Sequence, residues 1–205
     1  MDTYKCNYHM HSHYSDGTLS PGQLVRKFAQ EEYDVIALTD HGTINGIKEF
    51  LAACEAAGIK GIPGIEFNTE HVLEDLKCSV YLLGYNFDPD DDDLIKLCGE
   101  LKGKTAEDRT DLSTEDAIKV ISAAGGQAFL ADPAKIEDLG ERGSDEYWKN
   151  LEILLKDLKK KGLKGLECIT PGHSDEEEFR FVQLAGKYHL HISSGTDFHS
   201  DDQYL

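Results

Sequence analysis

The sequence predicts an α/β protein in which seven strands alternate with helices and close into a distorted parallel barrel, a single domain over residues 1–205. Three observations lead there. Short apolar runs of strand length recur between stretches with helical spacing. Several of these runs are apolar on both faces, as parallel strands covered by helices are. A ligand-type side chain follows almost every run, and barrels of this class carry their chemistry at the C-terminal strand ends.

The first strand is short (Tyr4, Cys6, Tyr8) and runs into Tyr8-His9-Met10-His11-Ser12-His13-Tyr14-Ser15-Asp16-Gly17. Alternation turns His9 and His11 to one face. Two imidazoles so placed can ligate one small divalent ion, and a nearby carboxylate can take a neighbouring one. A histidine pair also arises by chance on a polar strand end, so its weight comes from the later exits. Ser20 and Pro21 form an N-cap and a first-turn proline, and Leu24, Val25, Phe28 and Ala29 keep helical spacing to about Glu32. Residues 35–39 form a buried strand ending in Asp40-His41-Gly42. A helix over 44–57 stops at Gly58, and a strand over 59–65 ends in Glu66.

Residues 79–85 give a fourth strand. The acidic run Asp88 to Asp93 caps a helix beginning near Leu94, since carboxylates favour helix N-termini; the same run could pass for a metal loop. Residues 102–112 are polar and loop-like. A helix over 113–124 leads to a fifth strand, 127–131, ending in Asp132-Pro133. Helix 145–161 turns Trp148, Leu151, Leu154, Leu155 and Leu158 to the core. A sixth strand, 165–169, precedes Pro171-Gly172-His173. Helix 175–188 and strand 189–194 end the pattern at Asp197-Phe198-His199.

The totals bound the function. A net charge of −18 argues against a long nucleic acid as ligand, while a metal-filled pocket still attracts a small anion. No apolar run approaches a membrane span of about 18 residues. Five cysteines without CxxC spacing read as reduced and mostly buried, and Met1 to Lys5 lacks signal-peptide character, so the cytoplasm is the expected compartment. Oligomeric state is not legible.

The strand exits carry His9/His11, Asp16, Asp40/His41, Glu66, Tyr81, Asp132, His173 and Asp197/His199. One such coincidence is ordinary; one at nearly every exit is not. The stretches HMHSHYSDG, ALTDHGT, GIEFN, YLLGY, AGGQAFLADPAK, GLECITPGHS and SSGTDFHS, in this order from residue 9 to 200, resemble the polymerase and histidinol phosphatase (PHP) family of metal-dependent phosphoesterases. That resemblance implies a seven-stranded barrel with two to three divalent ions (zinc, manganese or iron) at one mouth. His9, His11, Glu66 and Asp197 would hold one ion, and Asp16, His41 and His199 another. Glu66 would bridge towards a third site where the family usually presents two histidines. This chain has Tyr81 and Asp132 there instead; aspartate is a plausible hard ligand and tyrosine a poor one.

By the same resemblance Lys135 and His173 would contact substrate phosphate, with an ordinary surface lysine the alternative for Lys135. Asp40 would orient a ligating histidine, with helix capping the alternative. The implied activity is hydrolysis of a small phosphorylated metabolite, such as a nucleotide, a sugar phosphate or histidinol phosphate, by water activated on a metal ion, the leaving group taking its proton from water or from a protonated group such as His173. The rival readings are a diesterase or nuclease acting on short oligonucleotide or nucleotide ends, a metal-binding domain without turnover, and a metal-dependent amidohydrolase.

Overall fold

The expected strands form one seven-stranded sheet whose spatial order follows the chain. This computed structural model describes residues 4–73, 76–103 and 112–204. The strands are β1 (Cys6–Asn7), β2 (Val35–Leu38), β3 (Lys60–Leu73), β4 (Leu76–Tyr85), β5 (Gln127–Leu130), β6 (Gly165–Ile169) and β7 (His191–Ser194). The helices are α1 (Pro21–Gln30), α2 (Ile47–Ala57), α3 (Asp92–Leu101), α4 (Thr114–Ala123), α5 (Asp145–Lys161) and α6 (Asp175–Lys187). The sheet curls into a nearly closed barrel. Past the two outer strands, Tyr8 N donates to Ser194 O at 3.0 Å and His11 N to Phe198 O at 2.8 Å.

One strand departs from the parallel pattern. β4 runs antiparallel to both β3 and β5. β3 and β4 pair as one long hairpin from Gly64↔Tyr85 to Leu73↔Leu76, without the crossover helix that parallel neighbours need. Glu66 and Tyr81 therefore sit inside strands, not at strand exits. Glu66 pairs with Leu83 and Asn68 with Tyr81, so all four share one face of the hairpin. Leu83, Tyr85 and Tyr81 pack there with Val35, Ala37, Ile62 and Phe129, which makes that face the barrel lumen. The outer faces pack against the helices. Leu24, Phe28, Ile36 and Phe50 lie in a cluster under α1 and α2, and Ile65, Leu82, Ile121, Leu151 and Leu155 in a larger one under α4 and α5.

Local chemistry explains the helix boundaries. Ser20 caps α1 in a reciprocal box with Gln23, and Ser174 caps α6 with Glu177. Gly58 at φ 72° and Gly162 at φ 111° take the left-handed positions that end α2 and α5. α2 begins at Ile47, later than expected, with Gly46 at its N-cap and no capping side chain. The acidic run is a cap: Asp91 accepts from Leu94 N, and Asp92 and Asp93 lie in the first turn of α3. Most of the polar stretch 102–112 (residues 104–111) lies outside the described residues.

The loop after β7 is pressed onto the first strand. A methyl group on Gly195 would meet His9 Cβ and stand 2.6 Å from Glu167 Oε1. Gly195→Ala is expected to lower unfolding stability by about 1–3 kcal/mol through overpacking, read in a urea titration by far-UV circular dichroism. An unchanged midpoint would mean that this contact is not tight.

Candidate metal centre

Ladder hydrogen bonds carry the chain past β1 before it turns. Met10 O accepts from Thr39 N at 2.9 Å, and Met10 N donates to Thr39 Oγ1 at 3.1 Å. Extended backbone there turns His9 and His11 to the same side, their ring centroids 5.2 Å apart. Both side chains are fully buried. Asn7, also buried, ties this segment to the loop after β7: it donates to Thr196 Oγ1 at 2.7 Å and accepts from Thr196 N at 3.0 Å. That loop delivers Asp197 and His199.

The imidazoles converge on one oxygen. His9 Nε2, His11 Nε2 and His41 Nδ1 each lie 3.2 Å from Glu66 Oε2. Asp197 Oδ1 stands 3.3 Å from His9 Nε2 and 3.2 Å from His11 Nε2. Beside them, Asp16 lies 3.3 Å from His199 Nε2 and 3.6 Å from His41 Nε2. His11 stacks between His41 and His199, with centroids at 4.4 and 4.2 Å. His9, His11, Glu66 and Asp197 form one group that could hold a metal ion; His11, Asp16, His41 and His199 form a second.

Charge in the cluster is strongly coupled. Burial opposes a proton on His11, but Asp197 and Glu66 outweigh it and lift the pKa from 6.5 to about 9. Burial likewise opposes charge on His9, and Glu167 and Glu66 raise it well above its ordinary value. Burial would raise Glu66, yet His9 and His41 hold it well below the usual carboxylate range. Burial dominates at His41 and lowers it. Burial would raise Asp16 too, but His199 and His41 bring it down to about 2. Protons on imidazoles balance these carboxylates where divalent ions would do so on binding.

The residues fit such ions by a further observation. Both ring nitrogens of His11 are buried without a hydrogen-bond partner, although carboxylate oxygens lie at ion-pair distance. Ligand atoms aimed at a shared point, and not at one another, produce this pattern. The outer hydrogen bonds agree. His9 Nδ1 donates to Glu167 at 3.1 Å and His199 Nδ1 to the Asp197 carbonyl at 2.8 Å, directions assigned from their acceptors, which turn each Nε2 towards the cluster, where its lone pair serves a metal ion once the proton is displaced.

Several sequence-assigned residues stand elsewhere or do other work. Asp40 touches no imidazole. Its Oδ1 accepts from Ser12 N at 2.6 Å and Ser15 Oγ at 2.8 Å, and its Oδ2 from Ser12 Oγ at 2.6 Å; it braces the turn between His11 and Asp16. His173 does not reach the cavity. Its Nδ1 donates to Cys168 O at 3.0 Å and its ring packs 4.7 Å from Phe181, because the chain turns into α6 directly after it. Tyr81 lines the cavity, 6.4 Å from the His41 ring. Asp132 and Lys135 line it too, and Lys135 Nζ donates to Asp132 Oδ2 at 2.8 Å and to Asp197 Oδ2 at 2.9 Å.

Glu167 escaped the sequence reading. It is fully buried in β6, takes the His9 bond, and accepts from Asp132 N at 3.1 Å. The signal was available: in Gly165-Leu166-Glu167-Cys168-Ile169 an acid interrupts a buried strand, on the face opposite Leu166 and Cys168. Asn7 gave no comparable signal beyond being polar.

The family model described as the PHP domain matches residues 7–174. The chain is 26% identical to a 5'-3' exoribonuclease of Haemophilus influenzae, over 96% of this chain and 90% of that one. It is 24% identical to a 3',5'-nucleoside bisphosphate phosphatase of Chromobacterium violaceum, over 94% and 86%. The first alignment runs over 262 residues against 205 here, so that relative carries segments with no counterpart in this chain. Among solved structures, one described as an amidohydrolase from C. violaceum superposes with a TM-score of 0.80, at 23% identity over 96% of this chain and 88% of that one. One described as a metal-dependent phosphoesterase from Bifidobacterium adolescentis gives 0.75, at 20% identity over 97% and 88%. These two likenesses establish the fold.

Glu167→Gln keeps the side-chain shape and weakens the hold on His9 Nδ1. It is expected to reduce metal affinity by about 10–100-fold, measured by competition against a chromogenic chelator. Unaltered affinity would show that His9 needs no such partner.

Proposed function

The chain belongs to the PHP domain family, and from that premise we propose that it hydrolyses a phosphomonoester of a small phosphorylated metabolite in the cytoplasm. At the coarser level it is a PHP-family metal-dependent phosphoesterase. The observation that carries the finer reading is the floor of the cavity, where two imidazole–carboxylate groups and the Lys135 ammonium meet. His9, His11, Glu66 and Asp197 would hold one ion, and Asp16, His41 and His199 the other. When bound, such ions make water acidic enough to ionise near neutral pH and neutralise phosphoryl oxygens.

The chain's own residues supply the rest. Lys135 presents a fixed ammonium to a terminal phosphoryl oxygen. Asn68 and Tyr81 offer side-chain hydrogen bonds on the same lumen face. With His173 outside the cavity, the departing oxygen takes its proton from solvent at the mouth. The cavity, about 1150 Å³, is larger than phosphate requires and suits a nucleotide-sized organic part, and a substrate like that named for the C. violaceum relative falls in this range. Free cysteines at Cys6, Cys54, Cys78, Cys98 and Cys168 are consistent with a reducing compartment. Among the described residues no helix is long and apolar enough to cross a membrane.

A second reading is cleavage of nucleotides from short oligonucleotide ends, favoured by the name of the H. influenzae relative. The charge of −18 weighs against long polymers there. The reading without turnover is weakened because neither imidazole-bearing group needs Tyr81 or Asp132.

The test compares p-nitrophenyl phosphate with bis(p-nitrophenyl) phosphate, each with manganese and with a chelator. The monoester is expected to react faster by a factor of about ten or more, roughly 1.4 kcal/mol in barrier, and the chelator to abolish the reaction. Faster cleavage of the diester would move the assignment to the second reading.

A further inference from the structure

A cation already stands beside Asp132, one of the two altered positions. Lys135 Nζ donates to Asp132 Oδ2 at 2.8 Å and to Asp197 Oδ2 at 2.9 Å. The other oxygen of Asp197 faces His9 and His11 at 3.3 and 3.2 Å. Asp197 therefore divides its two oxygens between the first imidazole group and the ammonium. We propose that the Lys135 ammonium is a built-in replacement for a third metal ion, so that this chain works with two ions and one lysine. The proposal rests on the metal-dependent reading above and adds what fills the third position.

The local chain builds this arrangement. Asp132 takes a left-handed backbone, φ 38° and ψ 53°, at the start of a single 3-10 turn, Pro133–Lys135. Lys135 N donates to Asp132 O at 2.8 Å, and the turn carries the lysine stem back over the Asp132 carboxylate. A non-glycine residue held left-handed costs about 1–3 kcal/mol and persists where its surroundings fix it. Here Glu167 fixes it, through Asp132 N at 3.1 Å.

The alternative cation position is already satisfied by protein donors. His9, Asp132 and Glu167 form a third group with ligand-type atoms close together. Both Glu167 oxygens, however, accept N–H bonds, from His9 Nδ1 and from Asp132 N, and Asp132 Oδ2 accepts from Lys135. Tyr81 adds only a phenol, a poor ligand beside imidazole. Burial opposes charge on Lys135, and Asp132 and Asp197 outweigh it and raise its pKa. The ammonium belongs to the cluster although its side chain is half exposed to the cavity.

The count of bound ions tests this without reference to activity. Full-length protein is stripped with chelator and titrated with manganese, free ion being read by electron paramagnetic resonance. Wild type is expected to saturate at two ions per chain, one for each imidazole-bearing group. Lys135→Arg, which keeps the cation, should also stop at two. Lys135→Met frees two carboxylates and should admit a third ion at manganese concentrations where wild type stays at two. Lys135→Met combined with Asp132→Asn should lose that ion again. A wild-type count of three overturns the proposal whether or not any variant folds. A folded Lys135→Met, checked by circular dichroism, that remains at two also overturns it. Failure of the phosphatase reading would leave these counts readable, so the two failures are distinct.

Discussion

One carboxylate oxygen organises the active end of this barrel. Glu66 is 2% exposed and carries its Oε2 to 3.2 Å from three imidazoles contributed by the segments after β1 and β2. An ionised carboxylate at such depth costs several kcal/mol unless matched by positive charge. In the protein alone protons on His9 and His11 provide that match, against the cost of burying them. Divalent ions would provide it with imidazoles left neutral. The Asn7 and Asp40 bonds, the close approach of Gly195 and the tautomers of His9 and His199 all keep ligand atoms turned towards this point.

β3 brings Glu66 there, pairing parallel with β2 and bridging His41 to Glu66. Past Glu66 it continues to Leu73 in a hairpin with the reversed strand β4. Glu66, Asn68 and Tyr81 then wall the cavity from within strands. The longer wall carries polar groups up from the metal-type cluster. Of the cavity lysines, Lys48 pairs with Asp90 at the rim, at 2.7 Å. Lys102 lines the cavity as well, and Lys135 pairs with Asp132 and Asp197 of the cluster.

Much of this was legible in the chain, for local reasons. Apolar runs marked β2 and β6, the Ser20–Pro21 cap marked α1 and helical apolar spacing marked α5, because these are sequence-local signals. His9, His11, His41, Glu66, Asp197 and His199 were readable as one set because strand exits in a barrel share a mouth. The hairpin was not, since an apolar strand carries no mark of its direction. His173 and Asp40 misled for a related reason. Each lies in a matching motif, but Phe181 with the Cys168 carbonyl in one case, and the Ser12–Ser15 turn in the other, decide where the side chain goes. The Lys135 pairing needed Asp197, distant in sequence, to be seen beside Asp132.

The central claim is that the Glu66 cluster is a divalent-metal centre, and the direct measurement is the metal content of Glu66→Gln. This variant keeps the size of the side chain and removes the shared negative charge. After metal loading and desalting, elemental analysis should find most of the bound metal gone while circular dichroism shows the fold retained. A folded Glu66→Gln that holds as much metal as wild type would contradict the account.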